Sequence, residues 1–177
     1  MQRRDLLRAL GAAGALALLP HQTAEAWARV ASGWRVAEGL TDAQLALVGA
    51  IGDTLLPRTD SPSASDVDVP AFVNVVVGEN YTDAERSAFL AGLDALDAAV
   101  KESAGAGFAE LDEEKRGDAL ASIEATKDRR SEPARTYWRL KGLIVHGYFT
   151  SEQVMKSVLH TEIMPGRFDG AAPMRHA

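Results

Sequence analysis

The strongest constraint on this chain is local. Thr-Asp-Ala-Gln at 41–44 recurs as Thr-Asp-Ala-Glu at 82–85, and each stands just before an apolar run with helical spacing. In such a box the threonine hydroxyl accepts from the backbone N–H three residues on, and the Gln or Glu reaches back to the threonine N–H. Both boxes therefore predict helix starts. After the first, Leu45, Val48, Ile51 (with Gly52) and Leu55 follow at helical spacing until Pro57 stops the run. After the second, Phe89, Leu93, Leu96 and Val100 recur at i, i+4, i+7 and i+11, one apolar stripe.

Weaker signals extend the same pattern. Residues 57–69 are rich in Pro, Ser and Asp and read as a surface loop. Pro70 suits the first turn of a short helix with Phe72, Val73, Val76 and Val77 on its apolar face. The β-branched run Val75–Val77 is the one strand-like stretch, and no second strand exists to pair with it. Ser103–Gly107 breaks the second long helix, Phe108 and Leu111 follow, and Asp112 with Glu113 and Glu114 makes an acidic start for a helix holding Leu120 and Ile123. The charged stretch Lys127–Pro133 reads as a turn. From about Ala134 a helix with Tyr137, Leu140, Leu143 and Ile144 inward is expected to end near His146-Gly147, with glycine as its cap. Thr150-Ser151-Glu152-Gln153 opens a last short helix holding Val154, Met155, Val158 and Leu159, and from Pro165 the tail has no period. The expected fold is all-α: a compact bundle of five or six helices with an aperiodic C-terminal tail.

The leader narrows the reading further. Arg3-Arg4-Asp5-Leu6-Leu7-Arg8 is a basic start, Ala9–Leu19 an uncharged run closed by Pro20, and Ala24-Glu25-Ala26 a small-x-small processing site. Together these define an export signal, too short to span a bilayer. The pair Arg3 and Arg4 with Leu6 and Leu7 resembles the twin-arginine motif R-R-x-[F/L]-L, and the weakly hydrophobic Ala/Gly core suits that route. The alternative is an ordinary secretory signal that holds two arginines. The expected division is a signal over 1–26, an irregular lead-in over 27–40 with Trp27 and Trp34 as anchors, and a helical domain over 41–177.

Composition excludes several chemistries. The chain has no cysteine, so disulfides, thiolate nucleophiles, Cys-held zinc, c-type haem attachment and iron–sulfur clusters are all absent from it. Its net charge is −6, and the leader holds three arginines against two acids, so the remainder is more acidic still. An acidic surface repels phosphate backbones, which argues against nucleic acid as a partner. His146 and His160 form no metal-binding pair, and read as a helix-end and a surface histidine. Asp60, Asp66 and Asp68 lack the register, glycine and closing Glu of a calcium loop. No phosphate loop, nucleophile elbow or acid–base constellation is present, so no catalytic, cofactor or metal residue is expected in this chain.

Four stretches carry a resemblance. They are Ile51-Gly52-Asp53-Thr54-Leu55-Leu56-Pro57; Val69-Pro70-Ala71-Phe72-Val73; Leu140-Lys141-Gly142-Leu143 running into Gly147-Tyr148-Phe149-Thr150-Ser151-Glu152; and Pro165-Gly166-Arg167-Phe168-Asp169-Gly170. With the leader, they resemble the gluconate 2-dehydrogenase subunit 3 family over roughly residues 42 to 173. The resemblance implies a non-catalytic small subunit in the periplasm or on the periplasmic face of the inner membrane. It further implies a FAD-dependent partner of the glucose–methanol–choline type, and in some complexes a cytochrome c subunit with haem c. Relatives often carry a cysteine after the glycine matching Gly170, where this chain has Ala171.

A flavoprotein that folds around FAD before crossing needs a carrier, and a small subunit with a twin-arginine leader supplies one to the translocase. The expected partner interface comprises Trp138, Tyr148, Phe149, Met164, Pro165, Arg167 and Phe168, since aromatics and arginine are enriched where interfaces concentrate their energy. Alternatively the tail covers its own bundle. Two other readings compete with the escort: a free-standing periplasmic helical enzyme or ligand-binding domain, and a membrane-anchored scaffold with an uncleaved leader.

Overall fold

The structure, a computed structural model, describes residues 20–161 apart from 35, 37, 38, 127 and 129. Among the described residues seven α-helices follow one another: α1 Pro20–Ala31, α2 Asp42–Leu55, α3 Val69–Asn80, α4 Asp83–Ala104, α5 Glu113–Ala125, α6 Glu132–Thr150 and α7 Glu152–Ser157. Short 3-10 turns lie at Ser65–Val67 and Phe108–Glu110. Among the described residues there is no strand, and no helix is long and apolar enough to cross a membrane. The all-α expectation holds.

The helix starts form where the boxes place them. Thr41 and Gln44 cap α2 reciprocally, as do Thr82 and Glu85 at α4. The Asp112 carboxylate accepts from the Lys115 N–H at the start of α5. Gln44 does more than cap: its Nε2 donates to Asp94 Oδ1 at 2.9 Å, tying α2 to α4. Helix α4 stops at Ala104 because Gly105, at φ 83°, takes the left-handed conformation that only glycine adopts without strain.

Helix α3 is the centre. Val69, Phe72, Val73, Val75, Val76 and Val77 are all buried, so more than half the circumference of this helix is apolar and must be covered by neighbours. The Val75–Val77 run is thus helical, not a strand. Helices α1, α2 and α6 supply the cover. Phe72 packs so closely on α6 that a Cβ at Gly147 would lie 2.7 Å from the ring.

That contact corrects one expectation. Gly147 does not end α6, which continues to Thr150 and is capped at Ser151. The glycine serves close packing within the helix, and His146 is a mid-helix residue rather than a helix end. The lead-in is corrected too: residues 27–31 belong to α1, which runs across the expected boundary at Ala26. The loop over 57–69 is only partly on the surface, for Ser63, Ala64 and Val67 are buried and Tyr148 Oη donates to the Pro62 carbonyl at 2.8 Å. In the last helix only Val154 is buried; Val158 and Leu159 are exposed.

The most extensive helix pair is α4 on α6, and a second close glycine makes it possible. A Cβ at Gly92 would meet Thr136 Oγ1 at 2.0 Å and Thr136 Cβ at 3.0 Å. Gly92→Ala should therefore force the two helices apart and cost about 1–3 kcal/mol. Gly117→Ala on α5, where nothing lies within 4 Å, should instead gain about 0.5–1 kcal/mol. Denaturant melts of the two variants check the opposite signs.

Candidate partner-docking site

Helix α6 has two apolar faces. The inner one holds Tyr137, Leu140, Leu143, Ile144 and Tyr148, all buried. The outer one is a ladder: Trp138, Gly142, Val145 and Phe149. At 100° per residue these four fall within about 60° of one another, across the helix from the core face. Val145 is 37% exposed and Phe149 43%, and a Cβ at Gly142 would meet nothing within 4 Å. Trp138 is half-buried, its ring edge-on to Tyr137 at 5.5 Å.

The flank of the ladder is held by charge. Lys141 Nζ pairs with Glu124 at 2.6 Å and lies 5.2 Å from the centre of the Trp138 ring. Tyr137 Oη also donates to Glu124. Burial, and then the neighbouring carboxylate, raises the Tyr137 hydroxyl well above the ordinary phenol range, so it stays a donor. Helix α5 thereby braces the outer face of α6 in a fixed position.

A second feature lies at the other end of α6. A groove of about 1300 Å³ opens between α1, the turn at Ser65–Val67 and α6–α7, lined by Trp27, Val30, Val67, His146, Thr150 and Met155 among others. Its polar groups are engaged with one another. His146 Nε2 lies 2.9 Å from Thr23 Oγ1. Trp27 Nε1 donates to Thr150 Oγ1 at 3.1 Å, and that hydroxyl donates to the His146 carbonyl at 2.7 Å. Ser151 Oγ donates to the Tyr148 carbonyl at 2.8 Å. The hydroxyls nearest the imidazole, those of Thr23 and Thr150, join α1 to α6. Among the described residues no three His, Asp or Glu converge as metal ligands. Asp66 accepts from the Ser63 N–H and pairs with Arg58, organising its own loop.

Of the expected interface residues, Trp138 and Phe149 share the ladder. Tyr148 does not: it is 4% exposed, with its hydroxyl on Pro62, so it has no area to offer a partner. Gly142 and Val145 belong to the ladder but are not among the expected interface residues. The signal for them was the helical period read at the opposite phase from the core stripe. Ala24 and Ala26 lie in α1. Arg3, Arg4, Leu6, Leu7, Met164, Pro165, Arg167 and Phe168 lie outside the described residues.

Compared with known proteins, the chain matches the family profile described as gluconate 2-dehydrogenase subunit 3 over residues 42–166, more than half its length. The match opens on the first residue of α2 and leaves α1 outside. No curated protein and no solved structure matches.

The groove has a pH signature. Burial lowers the His146 pKa below its usual 6.5, because the charged imidazolium is disfavoured there. On acidification the unfolded chain takes this proton first, so folded-state stability is full above the ordinary value and falls as pH drops through the window beneath it. The wild-type melting temperature should decline from pH 7 to pH 5.5, and His146→Gln should flatten that decline. The carboxylates with lowered values, Asp66, Glu85, Asp112 and Glu152, act at lower pH and leave the comparison clean.

Proposed function

The chain belongs to the gluconate 2-dehydrogenase subunit 3 family, an accessory subunit of a dehydrogenase complex, and we propose that within such a complex it is the non-catalytic escort of a flavoprotein. It binds and stabilises a FAD-dependent sugar or sugar-acid dehydrogenase of the glucose–methanol–choline type. Its twin-arginine leader, with Arg3 and Arg4 at the centre, takes the folded pair to the periplasm or the periplasmic face of the inner membrane. FAD belongs to the partner, and haem c, where a cytochrome c subunit is present, to that third chain.

The observation that carries this reading is the outer ladder of α6. A helix whose core face is already satisfied has little internal use for the exposed Val145 and Phe149 on its far side, next to the half-buried Trp138. Aromatic and aliphatic side chains around a bare glycine form the sort of surface a partner helix or loop can approach closely. The tail residues Met164, Pro165, Arg167 and Phe168 are proposed as a second contact. The groove beside His146 is the feature that favours the competing reading, a free-standing ligand-binding domain.

Two experiments test the escort. Val145→Glu places a charge in the ladder on an exposed site, so the melt of the isolated chain should stay within about 0.5 kcal/mol of wild type. Recovery of a flavin-bearing partner with the tagged chain should fall, by about 1–3 kcal/mol in affinity. Replacing Arg3 and Arg4 by Lys keeps the charge but removes the guanidinium forks, and both chain and partner should then stay in the cytoplasm. Undiminished flavin absorbance in the Val145→Glu eluate would remove the ladder from the interface. Normal export of the double lysine variant would remove the twin-arginine route.

A further inference from the structure

The processing end of the leader lies within the folded body. Ala24 and Ala26, which frame the processing site, are both in α1, and α1 is docked on the body. Ala26 is 2% exposed. On one side of it Thr23 Oγ1 meets His146 Nε2 at 2.9 Å. On the other, Trp27 stacks on Phe72, with ring centres 4.9 Å apart and 25° between planes, while its Nε1 donates to Thr150. The bond to be cut, Ala26–Trp27, thus lies between two anchoring side chains in the middle of a helix.

Proteases bind their substrates as extended chain, several residues to either side of the scissile bond. A docked helix offers neither the extended backbone nor access to it, so cutting a folded protein at such a place waits on local opening. Here opening means releasing the Thr23–His146 and Trp27–Thr150 bonds and exposing Trp27 and the face of Phe72 together. Trp27 and Phe72 are large apolar rings, and the exposure of both opposes it.

We propose that the folded chain shields its own processing site, so that hydrolysis of the Ala26–Trp27 bond is limited by undocking of α1. In that hydrolysis water adds across the peptide bond, leaving a carboxylate on Ala26 and an amine on Trp27. The proposal rests on the export reading of the leader, and one arm of the test examines that reading separately.

The substrates are the purified full-length chain and a synthetic peptide of residues 15–32, each treated with a detergent-solubilised signal peptidase. The peptide should be cut after Ala26 and the folded chain at least about tenfold more slowly, as expected where cleavage tracks the open population. The double variant His146→Ala, Thr150→Val removes both polar docking partners and leaves the Phe72 ring and residues 20–32 intact; it should be cut faster than the wild-type chain. Hydrogen exchange on the wild-type chain gives a readout independent of any variant's folding: amides over 24–31 should be protected relative to the peptide. An uncut peptide would overturn the processing site itself. A folded chain cut as fast as the peptide, or amides over 24–31 that exchange as fast as in the peptide, would overturn the shielding. So would a double variant that keeps its helical circular dichroism and stays as resistant as wild type.

Discussion

Everything in this bundle follows from one helix whose apolar surface is too wide for a single neighbour to cover. In α3 five valines and a phenylalanine are buried, and valine is a mediocre helix former because its branched Cβ loses rotamer freedom against the preceding turn. Alone in water the segment would not be a stable helix. It becomes one because α2, α6 and α1 close around it, each buried valine contributing roughly 1.5 kcal/mol or more. With no cysteine anywhere in the chain, the fold rests on this apolar cover and not on disulfides. Gly147 exists to let Phe72 reach α6, and Trp27 closes the other side of the same ring.

How much of this could be read in the residues depends on the range of the signal. Capping boxes are local, and the starts at Thr41, Thr82 and Asp112 fall where the residues place them. The core stripes of α2, α4 and α6 follow from period alone. What could not be read locally depended on a neighbour. Gly147 looks like a terminator until Phe72 is seen against it. Tyr148 looks like an interface aromatic until its hydroxyl finds Pro62, far away in sequence. Residues 27–31 look irregular because α1 owes its helix to Phe72, His146 and Thr150 rather than to any box of its own. The loop over 57–69 reads as surface by composition, yet Ala64 is buried where Gly52 leaves room for it.

The two-faced character of α6 joins stability to partnership. The same helix that closes the core with Tyr137, Leu140 and Ile144 carries the outer ladder, and α5 clamps it through the Glu124 pair with Lys141. A partner seated on such an element binds the folded bundle and not the unfolded chain, and so stabilises the bundle by mass action. Pre-organisation works in the other direction as well, because a helix fixed from behind loses little freedom on binding.

The anchoring of α1 also sets a clock. Its two polar contacts join Thr23 to His146 and Trp27 to Thr150, each across 123 positions of sequence. At typical synthesis rates of about 5–20 residues per second, on the order of 6–25 s pass between the making of the first partner and the second. During that interval the N-terminal helix has α3 to pack on, through the Trp27–Phe72 stack, but neither of its polar contacts to α6 can form. Only when α6 is complete can the ends of the chain close on each other. Chain closure is then among the last events of folding, and its completion reports that the whole bundle has been made.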